Sequence, residues 1–243
     1  MGKTAGRLAL RLQGKQERET GSTEKCKIHP DEELRLQYGS GTEKYCAVCW
    51  EEEQKEMYRK LKRAEAHCAL NLSSRLRPYT FDNYKPTSPE AEKALSRCRQ
   101  FAQGELSGLI MLGSVGTGKT HMAVAICKAV CDTGTSAMLV TVNEIIREIK
   151  DTWKNSENEQ DVIDKYSRVN LLVIDEIGSQ YGSDTEKIFV SEIINNRYNN
   201  MLRTAIIGNI TLSEAQAYLG IRVIDRLRHN GDVVVFDWES YRK

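Results

Sequence analysis

A chain of 243 residues has room for one large domain, or for a medium domain with an appendage. Its 35 Lys and Arg against 34 Asp and Glu leave a net charge of +1, so bulk electrostatics names no partner, and nucleic acid would have to meet a local patch. A hydrophobic share of 40% with only 4 prolines excludes a low-complexity disordered chain. No apolar run approaches the roughly 18 to 20 residues that span a bilayer. Met1-Gly2-Lys3-Thr4-Ala5 leads into alternating Arg and Leu rather than the apolar core of a secretory signal. These features predict a soluble cytoplasmic protein with no membrane partner.

In chain order, residues 1–25 carry Lys3, Arg7, Arg11, Lys15, Arg18 and Lys25 against Glu17, Glu19 and Glu24, and read as a flexible basic segment with room for one short helix. Residues 26–50 hold Cys26-Lys27-Ile28-His29 and Cys46-Ala47-Val48-Cys49, two x2-spaced pairs with 16 residues between them. An x2 spacing lets two side chains of one tight turn face one ion, and two such turns complete a tetrahedron. Cys26, His29, Cys46 and Cys49 therefore read as ligands of a structural Zn²⁺. The metal would supply the folding energy that so small a segment cannot draw from a core. A redox Cys-x-x-Cys is the rival, but it belongs between a strand and a helix of a thioredoxin-like unit, which this pattern lacks. Incidental clustering is the remaining alternative. Cys127 and Cys131 stand four apart on an apolar helical stretch and read as core.

From Glu51 to about Leu72 there is neither Gly nor Pro, and acidic residues precede basic ones, which predicts a single exposed helix. Residues 73–89 carry Pro78, Pro86 and Pro89 and read as a linker, so residues 51–89 form a helix and linker ahead of a main domain at 90–243. In that domain, short β-branched runs at 109–112, 137–142, 171–174, 205–207 and 233–236 alternate with helical stretches. The pattern predicts an α/β fold, a parallel sheet covered by helices on both faces.

Gly113-Ser114-Val115-Gly116-Thr117-Gly118-Lys119-Thr120 matches G-x4-G-K-[ST] and lies between the first of these strands and a helix starting near His121. The glycines let backbone N–H groups turn inward around phosphates, and the helix N-terminus adds its partial positive charge. Lys119 is placed to reach the β- and γ-phosphates of ATP, and Thr120 to hold Mg²⁺. Downstream, Leu171-Leu172-Val173-Ile174-Asp175-Glu176 is a buried strand ending in two carboxylates. Asp175 suits Mg²⁺ and Glu176 suits polarising an attacking water. The pair points to an ATPase in which catalysis is mostly positioning and charge stabilisation.

Residues 76–242 resemble the AAA+ module of the DnaC-type bacterial helicase loaders. The resemblance runs through Phe81-Asp82-Asn83-Tyr84, the phosphate loop, Val140-Thr141-Val142, Lys150-Asp151-Thr152 and the strand ending in Asp175-Glu176. It continues through Arg222-Val223-Ile224-Asp225-Arg226 and Trp238-Glu239-Ser240-Tyr241-Arg242. It implies a P-loop ATPase that opens a hexameric replicative helicase and places it on single-stranded DNA. It also implies roles: Asn209 at sensor 1, Arg242 at sensor 2, and Arg226 as an arginine finger acting on ATP of a neighbouring subunit, with Arg222 in the same box. Arg226 would thus mediate self-assembly.

Residues 143–168 occupy the place of helices that this family inserts near single-stranded DNA. Trp153 matches its aromatic there, Ser183 a polar contact on the following loop, and Tyr181 could replace an aromatic missing at Thr185. A lone Trp on an amphipathic helix also fits partial core. Residues 6–13 weakly resemble the family's helicase-gripping helix through Leu8, Arg11, Leu12 and Gln13. The cysteine cluster departs from the family pattern, which suggests a phage or prophage variant or a different helicase partner. About seven residues follow the last strand, which argues against an origin-recognising initiator with a helix-turn-helix. Two rival readings are an IstB-type transposition helper ATPase and an interaction module that uses ATP as a switch with negligible turnover. The combined presence of Glu176, Asn209 and Arg226 favours hydrolysis over the switch.

Overall fold

The computed structural model describes residues 24–36, 44–178 and 184–242. The chain divides into two compact units, 1–60 and 61–243. In the first unit, β1 (Leu34–Leu36) and β2 (Lys44–Cys46) pair antiparallel with Leu34 opposite Cys46, and a further bridge joins Lys25 to Glu33. Helix α1 (Ala47–Leu70) follows β2 directly and continues into the second unit. It begins earlier than the expected Glu51, so Cys49 lies in its first turn. The end of β2 and the first turn of α1 thereby hold Cys46 and Cys49 one turn apart.

The second unit holds α2 (Pro89–Gln103), β3 (Gly108–Gly113), α3 (Lys119–Asp132), β4 (Ala137–Thr141), α4 (Val142–Asn155), α5 (Glu159–Arg168) and β5 (Leu171–Ile177). It continues with α6 (Asp184–Asn199), β6 (Arg203–Gly208), α7 (Leu212–Leu219), α8 (Ile221–Arg228) and β7 (Gly231–Phe236). The sheet order is β4-β5-β6-β3-β7, and every pairing is parallel. The strands are nearly continuous apolar runs because both faces are covered. Alternation sorts them. Ile110, Leu112, Leu172, Ile174 and Ile206 pack with α4, α5, α6, α7 and α8, while Leu109, Met111, Val173, Ala205 and Ile207 pack with α2, α3 and the last turns of α1. Cys127 and Cys131 are both fully buried on α3, in the second of these clusters. This is the α/β architecture that the strand pattern predicts.

Residues 73–89 are folded onto the main unit instead of linking it. Lys128 Nζ donates to Arg77 O at 2.5 Å, His121 Nε2 bonds Thr80 O at 2.8 Å, and the rings of Tyr79 and His121 stack at 4.4 Å. The prolines of this stretch deny it regular structure, but Tyr79, Phe81 and Tyr84 carry enough aromatic surface to dock it. Its end caps α2: Ser88 Oγ accepts from Ala91 N at 3.2 Å, and Pro89 opens the helix.

Arg197 is fully buried on α6 and uses every donor it has. Nε donates to Thr204 Oγ1 at 2.9 Å, Nη1 to Tyr166 O at 2.8 Å and Val169 O at 2.7 Å, and Nη2 to Asn170 O at 3.4 Å and Arg203 O at 2.6 Å. One side chain thus ties the α5–β5 turn to the start of β6, and burial lowers its pKa. Arg197→Met should destabilise the protein by about 3 kcal/mol or more, because it leaves buried carbonyls unpaired. Urea unfolding reads this as a lower midpoint at an unchanged slope; an unchanged midpoint would show that water replaces the guanidinium freely.

Candidate nucleotide site and metal cluster

The C-terminal ends of β3, β5 and β6 meet at one edge of the sheet, and the phosphate loop leaves from β3 there. Lys119 is 5% exposed, and its ammonium donates to Gly113 O at 2.9 Å, Ser114 O at 2.5 Å and Thr117 Oγ1 at 3.4 Å. Its pKa is lowered to about 8, chiefly by burial, with Asp175 opposing the shift and Arg242 adding to it. Gly118 precedes the first residue of α3 in the left-handed region at φ 95°, with no side-chain cap and no acidic residue in the helix's first turn. By contrast, Ser88, Thr141 and Thr211 cap α2, α4 and α7. The first N–H groups of α3 are therefore left for an anion. A Cβ on Gly118 would stand 2.7 Å from the Tyr84 ring, so the position requires glycine twice over.

Thr120 Oγ1 donates to Asp175 Oδ2 at 3.1 Å, which joins the loop to the end of β5. Burial raises the Asp175 pKa against the lowering effects of Glu176 N–H, Thr120 and Lys119. β5 is bulged against β6 between Ile174 and Ile177, and Glu176 takes φ 63° within that irregularity. Bulges re-aim side chains at functional edges, and a left-handed non-glycine residue carries backbone strain. Here the Glu176 side chain turns out to solvent while its N–H binds Asp175 Oδ1 at 2.7 Å. A cavity of about 590 Å³ brings together Lys119, Thr120, Asp175, Glu176, Asn209 and Arg242.

The cavity also has walls to which sequence reasoning assigned no role. Arg75, Tyr79, Asn83, Tyr84 and Lys85 line it from the segment before α2, and Tyr241 lines it from the C-terminal tail. Tyr241 N donates to Gly116 O at 2.9 Å, Trp238 Nε1 to Thr117 O at 3.1 Å, and Tyr84 hydroxyl to Thr117 O at 3.4 Å. Tyr241 hydroxyl donates to Lys85 O at 2.8 Å, closing the two flanks on each other. The signal was present in the aromatic residues of the blocks around Tyr84 and Trp238.

Arg226 does not line this cavity. Its Nη1 donates to Asn195 Oδ1 at 2.5 Å, and it borders a separate cavity of about 520 Å³ with Tyr198, Leu227 and His229. Arg222 and Arg226 do share the helix α8. Trp153 is 50% exposed; its Nε1 donates to Glu159 Oε2 at 2.5 Å and its ring tilts against Phe189 at 6.2 Å. Tyr181, Ser183 and the helix proposed at residues 6–13 lie outside the described residues.

In the first unit, the ligand atoms of Cys26, His29, Cys46 and Cys49 all lie within 4.8 Å of one another. Cys26 Sγ is 3.7 Å from Cys49 Sγ, and His29 Nδ1 is 3.3 Å from Cys49 Sγ, 3.7 Å from Cys46 Sγ and 4.0 Å from Cys26 Sγ. A tetrahedron with metal–sulfur bonds of about 2.3 Å has sulfur–sulfur edges of about 3.8 Å. A disulfide would need about 2.0 Å. The donor set and its spacing fit zinc. The His29 N–H, 3.4 Å from Cys26 Sγ, leads the backbone contacts that lower the Cys26 thiol to about 6, which favours the thiolate a metal requires.

The profile of the family described as IstB-like ATP binding protein matches residues 40–243. The replicative helicase loader DnaC of Escherichia coli K12 is 38% identical over 168 residues, covering 67% of this chain and 69% of that protein. DnaC of Buchnera aphidicola subsp. Baizongia pistaciae is 31% identical over 233 residues, covering 90% of this chain and 89% of the relative. The chain belongs to the IstB-like ATP-binding family and is a homologue of the DnaC helicase loaders. A crystal structure of the DnaC helicase loader superposes with a TM-score of 0.61 at 26% identity, covering 68% of this chain and 99% of that one. The AAA+ architecture is therefore shared, and the relatives named favour the loader reading over the transposition helper. Among the described residues, no helix of this IstB-like protein is long and apolar enough to cross a membrane.

The strain at Glu176 gives a direct test of this edge. Glu176→Gly should raise stability by about 0.5 to 1 kcal/mol, because glycine adopts φ 63° without the penalty and no buried contact is lost. A lower denaturation midpoint would show that the side chain contributes more than the backbone relief.

Proposed function

We propose that this protein is an ATP-driven loader that opens a hexameric replicative helicase and places it on single-stranded DNA during initiation of replication. The observation that carries the reading is the 3.1 Å hydrogen bond from Thr120 to Asp175, which unites the two carboxylate-and-loop halves in one cavity of a DnaC homologue. Lys119 and the loop N–H groups, with the start of α3, bind the triphosphate. Thr120 and Asp175 would hold Mg²⁺, which supplies charge neutralisation at the phosphates when bound. Glu176 and Asn209 orient the attacking water, and Arg242 contacts the phosphates in the same subunit. Arg226 faces away from its own cavity and acts as the finger on a neighbour's ATP, so turnover is slow alone and rises on assembly or on DNA. Residues 6–13 grip the helicase, and Trp153, Tyr181 and Ser183 contact the DNA strand.

The test is transfer of a hexameric helicase onto closed circular single-stranded DNA. Wild type should load it with ATP, and Lys119→Ala should lose both ATP binding and loading, since the phosphates lose the loop cation. Capture of a transposase, with no helicase bound, would overturn the reading in favour of the transposition helper.

Zinc is the second part of the proposal. Cys26, His29, Cys46 and Cys49 hold one Zn²⁺ that stabilises the small first unit, whose described residues offer little apolar core. Metal analysis of protein expressed without a metal-binding tag should find one zinc per chain, and Cys46→Ser should lose it while ATP binding persists. Wild-type protein without zinc, prepared reduced and free of chelator, would refute the assignment.

A further inference from the structure

Of the three arginines on α8, Arg222 and Arg226 stand one turn apart, and the protein treats them differently. Arg222 is exposed and makes no hydrogen bond or ion pair among the described residues. Arg226 is half-buried, and two residues meet its guanidinium. Asn195 Oδ1 accepts from Nη1 at 2.5 Å, and the Tyr198 ring lies 5.3 Å from the guanidinium carbon. Tyr198 is in turn held by His229, whose Nδ1 shares a hydrogen bond of 2.9 Å with the tyrosine hydroxyl and whose ring tilts against it at 5.8 Å. Asn195 and Tyr198 are i,i+3 on α6 and so lie on one face of it.

The main chain beneath Arg226 is also fixed. Val223, Ile224 and Leu227 are buried, and a Cβ on Gly108 would stand 1.9 Å from Leu227 O, so α8 sits directly on the start of β3. What remains free is the long side chain, and the Asn195–Tyr198 face restricts it. An aromatic face attracts a guanidinium without using its N–H groups. Asn195 takes one N–H, so the other donors stay available to an incoming anion.

We infer that Asn195 and Tyr198 are positioning residues that pre-set Arg226 to act on a nucleotide held by another copy of this chain. His229 packs its ring against that of Tyr198. The inference rests on Arg226 being the trans-acting finger, and it goes further by naming what aims that finger. Pre-organisation matters because a misplacement of about 1 Å in a reacting constellation costs about 10²-fold in rate.

Mixed assemblies separate the two claims. Lys119→Ala subunits lack a working nucleotide site but carry Arg226, and Arg226→Ala subunits are the reverse. Mixing them should restore ATPase activity that neither has alone. Adding Asn195→Ala or Tyr198→Leu to the Lys119→Ala donors should cut that restored kcat by about 10-fold to 100-fold. The KM for ATP, set by the untouched acceptor site, should not move. Tyr198→Phe, which keeps the ring, should restore most of the loss, and saturating donor with assembly followed by light scattering excludes a simple failure to associate. Donors that stimulate equally with and without the Asn195 and Tyr198 changes would overturn the inference, as would a Tyr198→Phe donor as poor as Tyr198→Leu. If plain Lys119→Ala donors stimulate nothing, the finger assignment itself has failed, and this inference falls with it.

Discussion

Parallel pairing of β6 with both β3 and β5 is the constraint from which the site follows. With β6 between them, the loop leaving β3 and the carboxylates ending β5 flank the end of β6, where Asn209 emerges. All three strands point the same way, so all three carboxyl ends fall on one edge. Ligands of open α/β sheets bind at such edges because helices and loops leave from there. An antiparallel β6 would send Asn209 to the opposite edge and leave the Thr120–Asp175 contact without its third neighbour. Arg197 secures this order from below, since its guanidinium fastens the entry of β5 to the entry of β6.

Two buried cations show how the same charge serves different ends. Arg197 spends all its donors on protein oxygens in a rigid fork, and nothing is left for a ligand. Lys119 is a point charge on a flexible stem, bonded only to oxygens of the loop it belongs to, with Asp175 acting on it. Burial without a bonded carboxylate disfavours its charged form, so a polyanion entering the cavity gains more there than at a solvated lysine. The aromatic flanks keep the surroundings shaped: Tyr84 and Trp238 hold the loop carbonyl of Thr117 from two sides, and Tyr241 ties the tail to Gly116. The loop's support thus comes from both ends of the domain's sequence, Tyr84 ahead of α2 and Trp238 and Tyr241 after β7.

The first unit solves a different problem. Three-residue strands bury little, and Ile28 is 74% exposed. Among its described residues Cys26 and Cys46 are the buried ones, and they converge with His29 and Cys49 at metal-ligand spacing. Coordination chemistry can thus take the place that apolar burial holds in the main unit. The β1–β2 pair carries one cysteine to the start of α1, and α1 supplies the next one turn on.

Local pattern was enough for what depends on neighbours in sequence. The phosphate loop, the apolar strand before Asp175, the x2 cysteine pairs and the i,i+4 arginines of α8 all express short-range geometry, with periods that backbone conformation sets by itself. The alternating strands and helices likewise specify a parallel sheet, because such connections leave no other economical pairing. What residues far apart do to one another was decided only by tertiary structure. Residues 73–89 look like a linker because prolines break their pattern, yet docking of Tyr79 and Tyr84 makes them a wall of the nucleotide cavity. The bulge that turns Glu176 outward depends on its pairing with β6. The grip of Asn195 and Tyr198 on Arg226 joins positions about thirty residues apart, through packing of α6 against α8. Sequence determines such contacts only through the whole fold, since their energy comes from surfaces that meet after the chain has collapsed.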